Sequence, residues 1–174
     1  PPVVIVGSML GELSFKTFMS ADVRLREWAL RQASMPQVIF ISGGCVTPKQ
    51  LAHMLPARYF AETAPGVFIA RLPIDVRPGA TLDIGRGVKD FRLSLQRGAF
   101  LVNEGNLFVT YSRVEGGNEA GRQPAWFKDE KDFRPYIISW GGSQTYIIKS
   151  VVAHLGYAAS KAYGVSLSQF SPSL

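Results

Sequence analysis

Two histidines, one cysteine and a short Lys-Tyr segment mark the places where this chain has side chains suited to proton transfer, nucleophilic attack or ion pairing. His154 lies between Val152-Ala153 and Leu155-Gly156, where it reads either as a hydrogen-bonding residue able to act as an auxiliary acid or base, or as a turn histidine satisfied by backbone. His53 sits in Leu51-Ala52-His53-Met54-Leu55, a helical context in which a structural or surface role is expected. In Ser160-Lys161-Ala162-Tyr163-Gly164, Lys161 can pair with a carboxylate, while Tyr163 can stack on a ring or donate its hydroxyl. Trp140, ahead of Gly141-Gly142, reads as an exposed stacking platform or a buried aromatic. Trp126, Lys131 and Arg134 sit in one polar, turn-rich stretch and are candidates for a groove wall. Cys45 alone forms no internal disulfide, and two histidines with one cysteine do not build a zinc cluster.

The elements that must position these residues read as short strands. Phe100–Asn103 is followed by Leu107–Thr110, Tyr136–Ser139 by Tyr146–Lys149, and Tyr163–Ser166 begins again. Superposing Phe108 on Tyr146 gives an offset of 38, and Tyr136 on Tyr163 gives 27, so strand-prone runs return at coil-like intervals separated by unequal loops. That pattern predicts an all-β solenoid. A sandwich with hairpins is the alternative, and Asn103-Glu104-Gly105-Asn106 would be one of its hairpin loops.

The first 75 residues differ. Val23, Leu25, Trp28, Ala29 and Ala33 predict an amphipathic helix ended by Met35-Pro36. Val38–Ile41 then reads as a strand, and Thr47-Pro48 as the N-cap and first position of a helix that carries Leu51 and stops near Pro56. A mixed, helix-bearing cap over 1–75 would cover the open end of coils occupying 76–174, with an enlarged loop at 115–135.

Composition narrows the partners. The 174 residues are 47% hydrophobic, enough for one substantial core, and 19 Lys plus Arg against 13 Asp plus Glu leave a formal charge of +6. That charge suits nucleic acid, anionic lipid or an acidic polysaccharide. The cations are dispersed through the sequence without a dense tract or a docking motif, which disfavours a nucleic-acid module. No apolar stretch approaches the roughly 18 residues that cross a bilayer. Gly85-Arg86-Gly87-Val88-Lys89 lacks phosphate-loop spacing and reads as a turn, and Asp129, Glu130 and Asp132 read as a solvated patch rather than a calcium loop. Starting at Pro1-Pro2 and ending just after a fresh strand, the chain is expected to be part of a longer protein.

Four segments carry a family resemblance: LPIDVRPGATL (72–82), GAFLVNEG (98–105), FRPYIISWGGSQTYI (133–147) and AHLGYAASKAYGVS (153–166). Together they closely resemble the periplasmic mannuronan C5-epimerases of alginate-producing bacteria, from about residue 72 onward, with Gly43-Gly44 and the Thr-Pro helix start fitting the family's N-terminal portion. The resemblance implies a right-handed parallel β-helix, a periplasmic location, polymeric alginate as the anionic partner, conversion of β-D-mannuronate to α-L-guluronate without a cofactor, and partners among alginate export or biosynthesis proteins. It also implies a catalytic Asp-Pro-His segment, which this sequence does not contain. Inverting C5 requires a neutralised carboxylate, a base for H5 and a proton donor on the opposite ring face. The expectation is therefore that the chain alone is inactive, its catalytic residues unassigned, and that Lys161, Tyr163, His154, Arg134 and Trp140 contact substrate. A non-catalytic polysaccharide-binding β-helix and a uronate lyase remain open beside the epimerase.

Overall fold

A computed structural model describes residues 1–9, 36–119, 123–126, 129–158 and 162–168. The helix expected from Asp22 to Ala33 lies outside these residues. Fifteen strands and one short helix follow in order among the described residues. They are β1 (Val3–Ser8), β2 (Gln37–Gly43), β3 (Cys45–Val46), α1 (Pro48–Met54), β4 (Phe60–Ala64), β5 (Val67–Ala70), β6 (Ile74–Val76), β7 (Thr81–Ile84) and β8 (Asp90–Ser94). Then come β9 (Leu101–Asn103), β10 (Asn106–Thr110), β11 (Arg113–Gly117), β12 (Ile137–Ser139), β13 (Gln144–Ile148), β14 (Val151–Ala153) and β15 (Val165–Leu167).

Consecutive strands visit three sheets in turn. The first sheet runs β1-β2-β6-β9-β12-β15, the second β13-β10-β7-β3, and the third β14-β11-β8-β5-β4. Each strand pairs in parallel with its counterpart one circuit away; only β1 with β2 and β4 with β5 pair antiparallel. The Asn103–Asn106 loop is thus no hairpin: β9 and β10 belong to different sheets. Gly105 makes that corner, since a Cβ there would run into the carbonyl oxygens of Arg77 and Ala80 from the circuit before. The Asn103 amide staples the corner to the next circuit, donating to Ser139 Oγ at 3.3 Å, Gln144 O at 2.9 Å and Thr145 Oγ1 at 3.2 Å.

Like side chains stack on like because register fixes which residue lies over which. Ile39, Ile74, Leu101 and Ile137 form one buried column, Leu82 and Leu107 another, and Phe68, Phe91 and Val114 a third. All converge in a single interior cluster. Helix α1 docks Leu51 on it; Thr47 accepts from the Gln50 amide while the Gln50 side chain accepts from the Thr47 amide, and Pro48 opens the helix as the sequence predicts.

A second apolar layer of Val38, Phe40, Phe100, Val102, Tyr136, Ile138 and Trp140 covers the outer face of the first sheet. Phe100 and Tyr136 stack there at 5.0 Å between ring centres. Being buried on both faces explains why these strands read as continuous apolar runs. The predicted equivalence of Phe108 and Tyr146 holds in register, with rings stacked at 4.8 Å. That of Tyr136 and Tyr163 does not: Ile137 pairs with Val165, so Gly164 lies opposite Tyr136 and Tyr163 falls one residue out of step, 71% exposed.

Candidate functional site

Strand alternation on the third sheet points Phe91 and Val114 inward and sends Asp90, Arg92, Arg113 and Glu115 to the outer face. Arg92 lies opposite Glu115 in register. Its Nε is 2.6 Å from Asp90 Oδ2 and 3.4 Å from Glu115 Oε1, and Arg113 Nε is 2.6 Å from Glu115 Oε2. Burial pushes the Glu115 carboxyl up, but the Arg113 hydrogen bond, the Asp90 contact and Arg92 outweigh it and hold Glu115 below its ordinary range. Burial moves Asp90 the other way: it is raised, with Arg92 opposing and Glu115 reinforcing the shift. The two arginines therefore favour the charged form of Glu115, while burial disfavours that of Asp90.

His154 joins this ladder at the end of β14, its Nδ1 3.4 Å from Glu115 Oε2 and buried. The residue has a left-handed backbone, φ 55°, that turns the chain out of the strand. Gly116 lets it do so, because a Cβ there would meet the His154 carbonyl oxygen. Trp126 stands edge-on to the imidazole at 5.6 Å and 61°, with 68% of its surface open to solvent. The result is an exposed indole face beside a histidine held against a carboxylate.

Arg134 builds the corner from beneath. Its guanidinium donates to Gly156 O at 2.9 Å, Leu155 O at 2.7 Å and Ala125 O at 3.4 Å, tying the turn that carries His154 to the segment that carries Trp126. Gly156 packs against the backbone of Tyr163 and Gly164, which brings exposed Tyr163 to the same end of the fold. Lys161 lies outside the described residues. Trp140 is placed elsewhere: it is 1% exposed in the layer over the first sheet, with Nε1 donating to Glu104 Oε1 at 3.2 Å. Its ring has no open face, so the expected platform is a packing residue. His53 lies on the exposed side of α1, as expected. Among the described residues no group of three or more His, Cys, Asp or Glu is arranged to hold a metal.

Sequence reasoning missed Asp90, Arg92, Arg113 and Glu115. The available signal was the alternation of charge with Phe91, Leu93 and Val114 in β8 and β11. Chemically the corner can stack a sugar ring and hydrogen-bond its hydroxyls. Removing a proton from carbon asks for an acceptor turned toward the substrate, and Glu115 is turned onto its arginines.

No family model matches the chain. The sequence is 51% identical over 170 residues to mannuronan C5-epimerase AlgG of Azotobacter vinelandii, covering 98% of this chain and 32% of that protein. It is 53% identical over 169 residues to mannuronan C5-epimerase of Pseudomonas aeruginosa, covering 97% of this chain and 31% of that one. A crystal structure of the periplasmic alginate epimerase AlgG superposes with a TM-score of 0.91 at 39% identity, over 99% of this chain and 41% of its own. The chain thus resembles mannuronan C5-epimerases along nearly its whole length and spans about a third of the length of the curated relatives it matches.

Proposed function

We propose that the chain is the N-terminal portion of a periplasmic mannuronan C5-epimerase, wound as a right-handed parallel β-helix: the cap expected over 1–75 already holds one circuit of parallel strands, β2, β3 and β5, and the coils continue through 76–174. The likeness to the epimerases over nearly the entire chain carries this reading. Strands that visit three sheets in turn and pair in parallel one circuit later support the helix. The antiparallel additions of β1 and β4, with Leu51 of α1 seated on the interior cluster, support a cap.

In this reading polymeric alginate lies across the outer surface of the coils. Trp126, His154 and Tyr163 contact sugar at one corner, Lys161 contacts substrate as the sequence leads us to expect, and Arg134 and Trp140 act through packing and turn geometry. Epimerisation moves H5 from carbon to a base and returns a proton to the opposite ring face, with the carboxylate and the developing enolate held by cations. Glu115 is engaged by Arg92 and Arg113. The corner accordingly binds, and the reaction centre belongs to coils of the longer protein.

The test compares the 174-residue chain with a protein extended to the length of the relatives. Each is incubated with polymannuronate, following guluronate by proton NMR and unsaturated chain ends by ultraviolet absorbance. The extended protein should form guluronate and the chain alone should not. Guluronate from the chain alone would relocate the centre into these residues; unsaturated ends would make the reaction an elimination.

A further inference from the structure

The corner between the second and third sheets carries an unpaired cationic cluster that the site above does not use. Tyr111 and Lys149, at equivalent positions one circuit apart, both hold left-handed backbone, φ 51° and 46°, although neither is glycine. Such conformations cost an L-residue roughly 1–3 kcal/mol and concentrate where function demands a particular side-chain placement. The alignment extends back a further circuit. Val109 pairs with Ile84 and Thr110 with Ile148, so Arg86, Tyr111 and Lys149 follow one another along the stack.

Tyr111 is 47% exposed, with the Arg86 guanidinium 4.5 Å and the Lys149 ammonium 5.7 Å from its ring centre. Beside it lies a shallow depression of about 420 Å³ lined by Gly87, Val88, Lys89, Tyr111, Ser112 and Lys149. Among the described residues Arg86, Lys89 and Lys149 enter no ion pair, whereas Arg71, Arg77, Arg92 and Arg113 each face a carboxylate. Three residues earlier on the same outer face, Phe108 and Tyr146 stack in parallel, with Tyr146 exposed and Asp83 next in register beyond Phe108. Unpaired cations gathered at an exposed ring, next to a second aromatic surface, suit a ligand that alternates carboxylates with apolar ring faces.

We infer that Arg86, Tyr111, Lys149 and Lys89 form a second anchoring surface for a carboxylated polysaccharide, at the opposite end of β11 from the His154–Trp126 corner. The inference rests on the reading above for the polymer's identity. Spacing supports it: circuits repeat at roughly 4.8 Å, so Arg86 and Lys149, two circuits apart, stand at about the length of two pyranose units. Lys89 widens the target toward the depression.

The test uses a double variant, Arg86→Ala with Lys149→Gly, in which glycine removes a cation and relieves the left-handed backbone together. Binding to oligomannuronate, to another polyuronate and to a neutral glucan is measured by calorimetry at two salt concentrations, with thermal unfolding alongside. We expect the parent chain to bind the uronates and not the glucan. The double variant should bind about tenfold more weakly, with a flatter salt dependence and an unfolding temperature equal or higher. A loss of binding without loss of stability is the signature that a structural role cannot produce. Equal binding by parent and variant overturns the inference and leaves the epimerase reading intact, as does a parent that binds no polyuronate. A parent that binds the other polyuronate but not oligomannuronate, and loses that binding in the variant, upholds the surface while removing mannuronate as its ligand.

Discussion

Replacing Asp75 by asparagine should flatten the dependence of stability on pH between about 5 and 8. Asp75 is fully buried on the outer face of the first sheet, in register between Phe40 and Val102. Neither carboxyl oxygen has a hydrogen-bond partner, and Arg77 Nη1 approaches only to 3.5 Å while Glu104 draws its own 3.0 Å contact from the same nitrogen. Burial first, and then the neighbouring Glu104 carboxylate, push the Asp75 carboxyl up to about 9 from an ordinary 3.8, against a smaller opposing effect of Arg77. The folded chain therefore keeps a proton that the unfolded chain releases. Stability from this group is complete below the unfolded value and is lost as pH rises toward 9, at about 1.4 kcal/mol per pH unit. From pH 5 to 8 that amounts to about 4 kcal/mol, a large share of the 5–15 kcal/mol typical of a domain. Urea denaturation of parent and Asp75→Asn chains, followed by circular dichroism at each pH, isolates the group because every other titration is common to both. The asparagine variant should gain on the parent steadily across the window. A difference that stays constant from pH 5 to 8 would show that Arg77 neutralises an ionised Asp75, and would refute the reasoning.

Two further outcomes follow from the His154–Trp126 corner. Arg134→Ala should lower stability by about 2–4 kcal/mol in the same denaturation assay, since three carbonyls lose a charged donor, and Arg134→Lys should recover only part of it because an ammonium does not span the three as a planar fork does. Trp126→Ala, at a largely exposed ring, should leave the unfolding midpoint within about 0.5 kcal/mol of the parent while weakening oligomannuronate binding about threefold to tenfold, as read by calorimetry.

How far the sequence discloses this structure depends on whether a feature lives within one strand or between circuits. The strands β9, β10, β12 and β13 were legible because apolar, β-branched and aromatic residues cluster in short runs between Gly, Asn and Ser; β11 and β14 were not, and the loop expected from 115 begins only after β11 ends at Gly117. Phe108 and Tyr146 could be superposed because the strands around them are long enough to fix a register, and the rings do stack. Tyr163 slipped by one residue because β15 has only three residues, and a short run bounded by glycine constrains register weakly. Trp140 stayed ambiguous for a different reason: nothing within Ser139-Trp140-Gly141 tells that the outer face of the first sheet is covered. The continuous apolar runs of β9 and β12 carried that information, since a sheet wet on one face alternates. The ladder escaped because Asp90–Arg92 and Arg113–Glu115, each within one strand, are joined into it only by Arg92 and Glu115 meeting across neighbouring circuits, which needs the register.

Register also changes the meaning of the net charge. Along the sequence the cations are dispersed, which disfavoured a nucleic-acid module. In space two groups stand out among the described cations. Arg71, Arg77, Arg92 and Arg113 each face a carboxylate, supplied by a residue distant in sequence for Arg71 and Arg77 and by the same strand for Arg92 and Arg113. Arg86, Lys89 and Lys149 are left without one and meet around Tyr111. The equivalence of Phe108 and Tyr146 already places Tyr111 upon Lys149, so the clue was present in the offset of 38 and needed only three more positions of reading. A stack of circuits turns residues spaced irregularly in sequence into columns spaced regularly in space. A positive charge excess on such a scaffold is therefore informative by column rather than by tract, and the columns to inspect first are those at corners, where side chains are free of both the interior and the ladder hydrogen bonds.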